Sequence, residues 1–282
     1  MTVTEDFLTR LNIQNIHDVV PVRGGDINEA YSLYSGTQHY FLKVQKQHPA
    51  SFFDVEIAGL TALSQVVRTP KVIANGEIRG DAYLILEWID RGKSDQGALG
   101  RTVANLHQKK SDNGLFGFDV DNLNDTVPKH NDWQKSWAEF FVTQRLDPLM
   151  AQAKKQNSWL TQRGNHYEQL RETILQDDHA QTVQPSLLHG DLWSGNFMFD
   201  RLGTPTLIDP NSFYGDREYD IAISQVFSGF KPAFYESYEA AYPLDSGFQT
   251  RANWYKFYYI LMHFVRFGDI YAPRVDRLLA TF

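Results

Sequence analysis

Leu188-His189-Gly190-Asp191-Leu192-Trp193-Ser194-Gly195-Asn196, with Leu207-Ile208-Asp209-Pro210 shortly after it, sets an Asp, an Asn five residues on and a second Asp thirteen beyond that. Asp-x-x-x-x-Asn is the spacing of a kinase catalytic loop. Phosphoryl transfer needs one carboxylate facing the attacking hydroxyl. It also needs an amide oxygen and a second carboxylate for the metal ions that bridge the phosphates. Asp191 is therefore the candidate catalytic residue. With an ordinary pKa of about 3.9 it is ionised at neutral pH and a weak base. Its work is to orient the hydroxyl and take the proton late, because the transition state is loose. Asn196 and Asp209 are candidate magnesium ligands, being hard oxygen donors. Leu207 and Ile208 read as a short apolar strand that delivers Asp209.

Before this stretch the chain reads as strands. Ala30-Tyr31-Ser32-Leu33-Tyr34 and His39-Tyr40-Phe41-Leu42-Lys43-Val44 flank Ser35-Gly36-Thr37-Gln38 and form a hairpin. Val72-Ile73-Ala74 and Ala82-Tyr83-Leu84-Ile85-Leu86-Glu87-Trp88 flank Arg79-Gly80-Asp81 and form a second. Between the pairs lies a helix, with Ser51 as cap, Asp54 completing a box-like start, and Phe53, Ile57 and Leu60 on one face. From residue 97 the pattern turns helical. Leu99, Val103 and Leu106 share a face, and Trp133, Trp137, Phe140 and Phe141 make another stripe. Further helices cover 234–242 and 253–267. The fold class is α+β, protein-kinase-like, in two lobes: 1–90 a β-rich nucleotide-binding lobe, and 91–282 a helical catalytic and substrate-binding lobe. A chain of 282 residues is near the size at which one core stops growing.

Composition narrows the partners. The net charge is -7 and no Lys/Arg run stands out, which speaks against nucleic acid and anionic membrane surfaces. The absence of cysteine excludes disulfides, thiolate zinc sites and cysteine nucleophiles, and fits a reducing cytoplasm. No signal peptide and no membrane span are expected: the first eleven residues carry Glu5 and Asp6, and the longest apolar runs are short. The expected setting is cytoplasmic.

Several residues extend the catalytic pattern. Gly24 and Gly25 precede the first hairpin, where paired glycines let backbone amides approach phosphates. Gly-Gly is also an ordinary turn, so the pair is weak by itself. Lys43 alternates with Leu42 and Val44 in an apolar strand and needs a partner or a ligand. The ATP phosphates would be the ligand, and Glu56 on the following helix the partner. Leu86-Glu87-Trp88 reads either as a hinge whose backbone at Glu87 and Trp88 would hydrogen-bond adenine, or as a plain buried strand end. His107 reads as a packing residue. Asp216 and Asp220 read as groups that order the catalytic loop through its backbone.

These residues resemble the fructosamine kinase (ketosamine 3-kinase) family. The resemblance is carried by Gly24-Gly25-Asp26-Ile27-Asn28, by 53–60, by Phe116-Gly117-Phe118-Asp119-Val120-Asp121-Asn122, by 187–199, by 208–221 and by Tyr242-Pro243-Leu244. It runs from about residue 5 to the C-terminus. Aminoglycoside and choline kinases share only the thinner His-Gly-Asp…Asn…Asp skeleton. The resemblance implies ATP- and magnesium-dependent phosphorylation of a sugar hydroxyl on a ketosamine, a small-molecule glycated amine, and a role in deglycation. Carried over by motif, Asp191 is the base, Asn196 and Asp209 hold metal, and Lys43 and Glu56 are the phosphate-orienting pair. Trp193 and His263 would contact the sugar-amine. Two departures stand out. Asp26 brings a negative charge to the glycine loop, and Asn211-Ser212 replaces a more usual small apolar pair, altering the floor of the substrate site.

Two rival readings remain. An aminoglycoside- or choline-type kinase of the same fold would need an acidic or aromatic cage for its cationic substrate. A nucleotide-binding pseudokinase would have lost a catalytic residue, whereas Lys43, Glu56, Asp191, Asn196 and Asp209 are all present.

Overall fold

The computed structural model describes residues 3–22, 28–125, 127–156 and 159–282. After a short helix α1 (Glu5–Arg10), five strands form one antiparallel sheet: β1 (Ile16–Pro21), β2 (Glu29–Ser35), β3 (Gln38–Gln45), β4 (Val72–Ile78) and β5 (Asp81–Glu87), in the order β1-β2-β3-β5-β4. Both expected hairpins are present, with Ser35 paired to Gln38 and Ile78 to Asp81. The alternation of β3 sorts its side chains. Leu42 and Val44 join Tyr31, Leu33 and Ile85 in a cluster closed by Phe7 and Leu11 around α1. On the other face, Phe41 joins Leu84 and Leu86 against α2 (Asp54–Ser64), through Phe53, Ile57 and Leu60. The sheet is thus covered on both sides, and Lys43 belongs to the α2 face.

Three local expectations are corrected. Ser51 does not cap α2. Pro49 starts a 3-10 turn over Ala50–Phe53, so Ser51 already lies inside the first turn. β4 does not end at Ala74 but runs on to Ile78, because pairing of Asn75 and Gly76 with Leu84 and Tyr83 overrides the local turn signal. Trp133 leaves the Trp137–Phe141 stripe. It precedes the helix, and its Nε1 donates to Asp119 Oδ1 at 3.1 Å.

Beyond residue 95 the chain is mainly helical. The helices are α3 (Gln96–Gln108), α4 (Trp137–Phe141), α5 (Asp147–Ala153), α6 (Thr161–Gln176), α7 (Asp178–Thr182), α8 (Glu218–Ser224), α9 (Pro232–Ala241), α10 (Phe248–Phe267) and α11 (Ala272–Leu279). Leu99, Val103 and Leu106 of α3 are fully buried, each worth about 1.5–3 kcal/mol over an exposed position. α10 starts five residues before its expected Asn253 and is buried along most of its length. Two small two-stranded sheets break this helical region: β6 (Ser186–Leu188) pairs antiparallel with β9 (Phe213–Gly215), and between them in sequence β7 (Phe197–Phe199) and β8 (Pro205–Leu207) form a hairpin. Their connections carry Asp191, Asn196 and Asp209. Among the described residues no helix is long and apolar enough to cross a membrane.

Candidate active site

β6 ends at Leu188, and the turn that follows is held from behind. Asp220 of α8, fully buried, accepts the amide of His189 at 2.7 Å and the amide of Gly190 at 3.0 Å. His107 donates from Nε2 to the same carboxylate at 3.2 Å and accepts the Tyr238 hydroxyl at 2.8 Å. Burial holds His107 below the usual imidazole range despite the pull of Asp220, so it is neutral at pH 7. Asp220 thus does what was expected of the Asp216–Asp220 pair. Asp216 does not: it accepts from His179, the Tyr255 hydroxyl and the Glu218 amide instead. Replacing Asp220 with Ala would orphan two buried amides, at about 1–3 kcal/mol each. The expected outcome is a clear fall in Tm together with lost activity, read by calorimetry and a turnover assay.

The same turn is zipped to the segment carrying Asp209. His189 donates from Nε2 to the Ile208 carbonyl at 2.9 Å, which leaves Nδ1 to accept the Asp191 amide at 3.3 Å. The Asn211 amide donates to the His189 carbonyl, and the Ile208 amide to the Asn196 carbonyl. Gly190 has φ +81, and a Cβ there would lie 1.8 Å from the Asn211 carbonyl oxygen. Gly190→Ala should therefore push the two segments apart and abolish turnover, with a fall in Tm as the independent reading.

Asp191 meets its partners through both carboxylate oxygens. Asn196 donates from Nδ2 to Oδ2 at 3.0 Å, and the Tyr259 hydroxyl donates to Oδ1 at 2.8 Å. Burial raises the Asp191 pKa above the ordinary carboxylate value. The Tyr259 hydrogen bond and the nearby His189 and Lys129 only partly offset this. The expectation of an ordinary aspartate is corrected accordingly: Asp191 is a stronger base than a solvated one. Asn196 Nδ2 also donates to the Asp191 carbonyl and, at 3.4 Å, to the Asp209 carbonyl. With its nitrogen spent in this way, Asn196 has its oxygen left to offer a cation.

Lys43 lies between two carboxylates and is only 6% exposed. Its Nζ is 2.9 Å from both oxygens of Glu56, and it also donates to Asp209 Oδ1. Burial alone would lower the Lys43 pKa, but Glu56 and Asp209 outweigh it and hold the ammonium charged. Desolvation pushes Glu56 up, with Lys43 offsetting only part of the shift. Desolvation also opposes ionisation of Asp209, yet Lys43 wins and holds it below the usual range. The Asp209 side chain is 45% exposed, so it opens towards solvent. It sits at φ +52, a conformation uncommon outside glycine. α2 comes close because Gly59, one turn past Glu56, faces Pro210 and Ser212. A Cβ there would be 2.9 Å from the Pro210 ring. Ser212 is turned into this packing, and the Asn211 side chain accepts from Asn122 at 3.2 Å.

The remaining expected residues divide. Trp193 is 37% exposed, its ring folded over Gly195. His263 lies tilted against Tyr259 at 4.7 Å and edge-on to Phe227 at 5.2 Å, which brings it beside the Asp191 partner. Burial keeps it below the usual imidazole range, hence uncharged. At the strand end the Glu87 amide donates to the Lys71 carbonyl and the Trp88 amide to the His39 carbonyl. The Glu87 carboxylate is paired with Arg68, and the Trp88 ring is stacked on His39 at 4.2 Å. The Glu87 and Trp88 amides, expected as adenine donors, are thus both already paired with backbone carbonyls. Gly24, Gly25 and Asp26 lie outside the described residues. Sequence reasoning missed Tyr259, which is 68 residues from Asp191 and reads as one more aromatic of a buried helix.

Comparison with known proteins finds relatives along the whole chain. The profile of the family described as fructosamine kinase matches residues 2–282. A probable ketoamine kinase of Lactiplantibacillus plantarum is 48% identical over the full length of both chains. The chloroplastic protein-ribulosamine 3-kinase of Arabidopsis thaliana is 33% identical over 95% of this chain and 83% of its own. The crystal structure of a putative fructosamine-3-kinase from Haemophilus somnus superposes with a TM-score of 0.83 at 27% identity, over 94% of this chain and 90% of that one.

Proposed function

Given that the chain belongs to the fructosamine kinase family, we propose that it transfers the terminal phosphoryl group of ATP to a sugar hydroxyl of a ketosamine, with Asp191 accepting the hydroxyl proton. The observation that carries this reading is the placement of Asp191. Its carboxylate is fixed through both oxygens, and Asn196 bridges it to the Asp209 segment. Phosphorylated ketosamines are labile, so the proposed role is deglycation.

The donor set fits magnesium. Two carboxylates, Glu56 and Asp209, share one ammonium, Lys43, and when both are ionised they leave an excess of negative charge for a cation. Asn196 Oδ1 and the Asp209 carboxylate are hard oxygen donors of the kind that suit it. Bound there with ATP, the ion would neutralise charge on the phosphates. Lys43 gives the phosphates a fixed positive charge, and Glu56 holds it in place. Asp191 orients the acceptor hydroxyl and takes its proton as the new oxygen–phosphorus bond forms and the bond from the terminal phosphorus to the bridging oxygen breaks, ADP leaving with the electron pair. Trp193 and the uncharged His263 offer aromatic faces to the sugar and its protonated amine. ATP as donor points to the cytoplasm.

The reading is tested by a coupled ATP-consumption assay with magnesium and a panel of fructosamine, ribulosamine and erythrulosamine forms of lysine. Consumption dependent on at least one of them is expected. Tight ATP binding with no consumption on any member would overturn it.

A further inference from the structure

We propose that Tyr259 is a positioning residue for the transfer: its hydroxyl holds Asp191 Oδ1 so that the carboxylate keeps one orientation towards the acceptor hydroxyl. This rests on the reading above and assigns the residue that aims its base. A carboxylate on a short side chain turns freely about its last bond unless both oxygens are bonded. Asn196 fixes Oδ2 at 3.0 Å, and among the described residues Tyr259 is the side chain bonded to Oδ1, at 2.8 Å.

The tyrosine is itself held. It is 3% exposed on α10, packed by Phe227 at 6.0 Å and by His263 one turn on at 4.7 Å. His263 donates from Nδ1 to the Tyr259 backbone carbonyl at 2.8 Å, which fixes the imidazole in place beside the phenol ring. Burial and the facing Asp191 push the phenol far above its usual range, so it remains the donor and Asp191 the acceptor throughout. A carboxylate oxygen has two lone pairs. Tyr259 uses one on Oδ1, and the carboxylate can still accept the substrate hydroxyl. As the proton moves to Asp191 the phenol keeps its own proton, so Tyr259 acts by position and exchanges nothing.

The test is Tyr259→Phe, which keeps the ring and its packing and removes only the hydroxyl. Steady-state kinetics are measured with the best ketosamine from the panel, together with Tm. The expected result is a fall in kcat of about 10–100-fold, since orientation errors of this size are costly, with KM for ATP and for ketosamine within about twofold and Tm nearly unchanged. Unchanged kcat with a lowered Tm would overturn the proposal and leave a packing role. Raised kcat with lowered ketosamine KM would also overturn it, because the hydroxyl would then be a stand-in that substrate must displace. Failure of the broader reading looks different, since the native protein would then show no ketosamine turnover at all.

Discussion

Asp191→Asn is expected to lower kcat by about 10²–10⁴-fold, the range for a positioned acid–base group, while nucleotide binding and Tm stay close to native. The asparagine keeps the shape but has a single acceptor oxygen, so it can accept from Tyr259 or from Asn196 and not from both, and it cannot take up the proton of the substrate hydroxyl. The change also removes a carboxylate whose ionisation burial opposes, which offsets the one hydrogen bond lost, so little net change in stability is anticipated. Steady-state kinetics alongside calorimetry check both halves. Full activity in the variant would show that Asp191 is not the base.

Lys43→Met should produce the second large effect, on two readouts at once. The ammonium sits between Glu56 and Asp209, and its loss leaves the buried Glu56 without its counter-charge. Breaking such a pair costs about 3–5 kcal/mol when the remaining charge persists. Asp209 is nearly half exposed, so water screens its share and Glu56 dominates the cost. At about 2–4 °C per kcal/mol, a distinct drop in Tm is expected. The drop should also depend on pH. Burial already raises Glu56, and without Lys43 its folded pKa rises further above the unfolded value. A raised carboxylate destabilises when ionised, so the deficit should be full in alkali and shrink as pH falls through that raised pKa. Catalytically, removal of a fixed electrostatic donor should cost about 10²–10³-fold in kcat/KM for ATP. A pH-independent Tm deficit would show that the loss is one of packing instead.

How much of this was legible before the structure depended on the distance over which each signal acts. The hairpins follow from Gly36 and Gly80 and from alternation on either side of them, and both formed. The order of Lys43 and Glu56 was readable because a strand and the next helix bring them together. That Lys43 also meets Asp209, 166 residues on, was not, since the contact depends on long-range packing such as that of α2 against Pro210. Tyr259 was invisible for a similar reason: nothing local distinguishes it from Tyr255 or Tyr258, and its partner comes from another element. Short-range rules failed where a neighbour intervened. Ser51 has the chemistry of a cap, but Pro49 begins the turn before it. The pKa of Asp191 could not be read at all, because burial is a property of the fold and not of the residue.

The most direct test of the central claim is to incubate native protein and Asp191→Asn with magnesium, ATP and ribulose-lysine, and to analyse the ketosamine by mass spectrometry. The account predicts a phosphorylated ketosamine from the native protein and almost none from the variant. ATP consumed without a phosphorylated ketosamine, or equal product from both proteins, would contradict it.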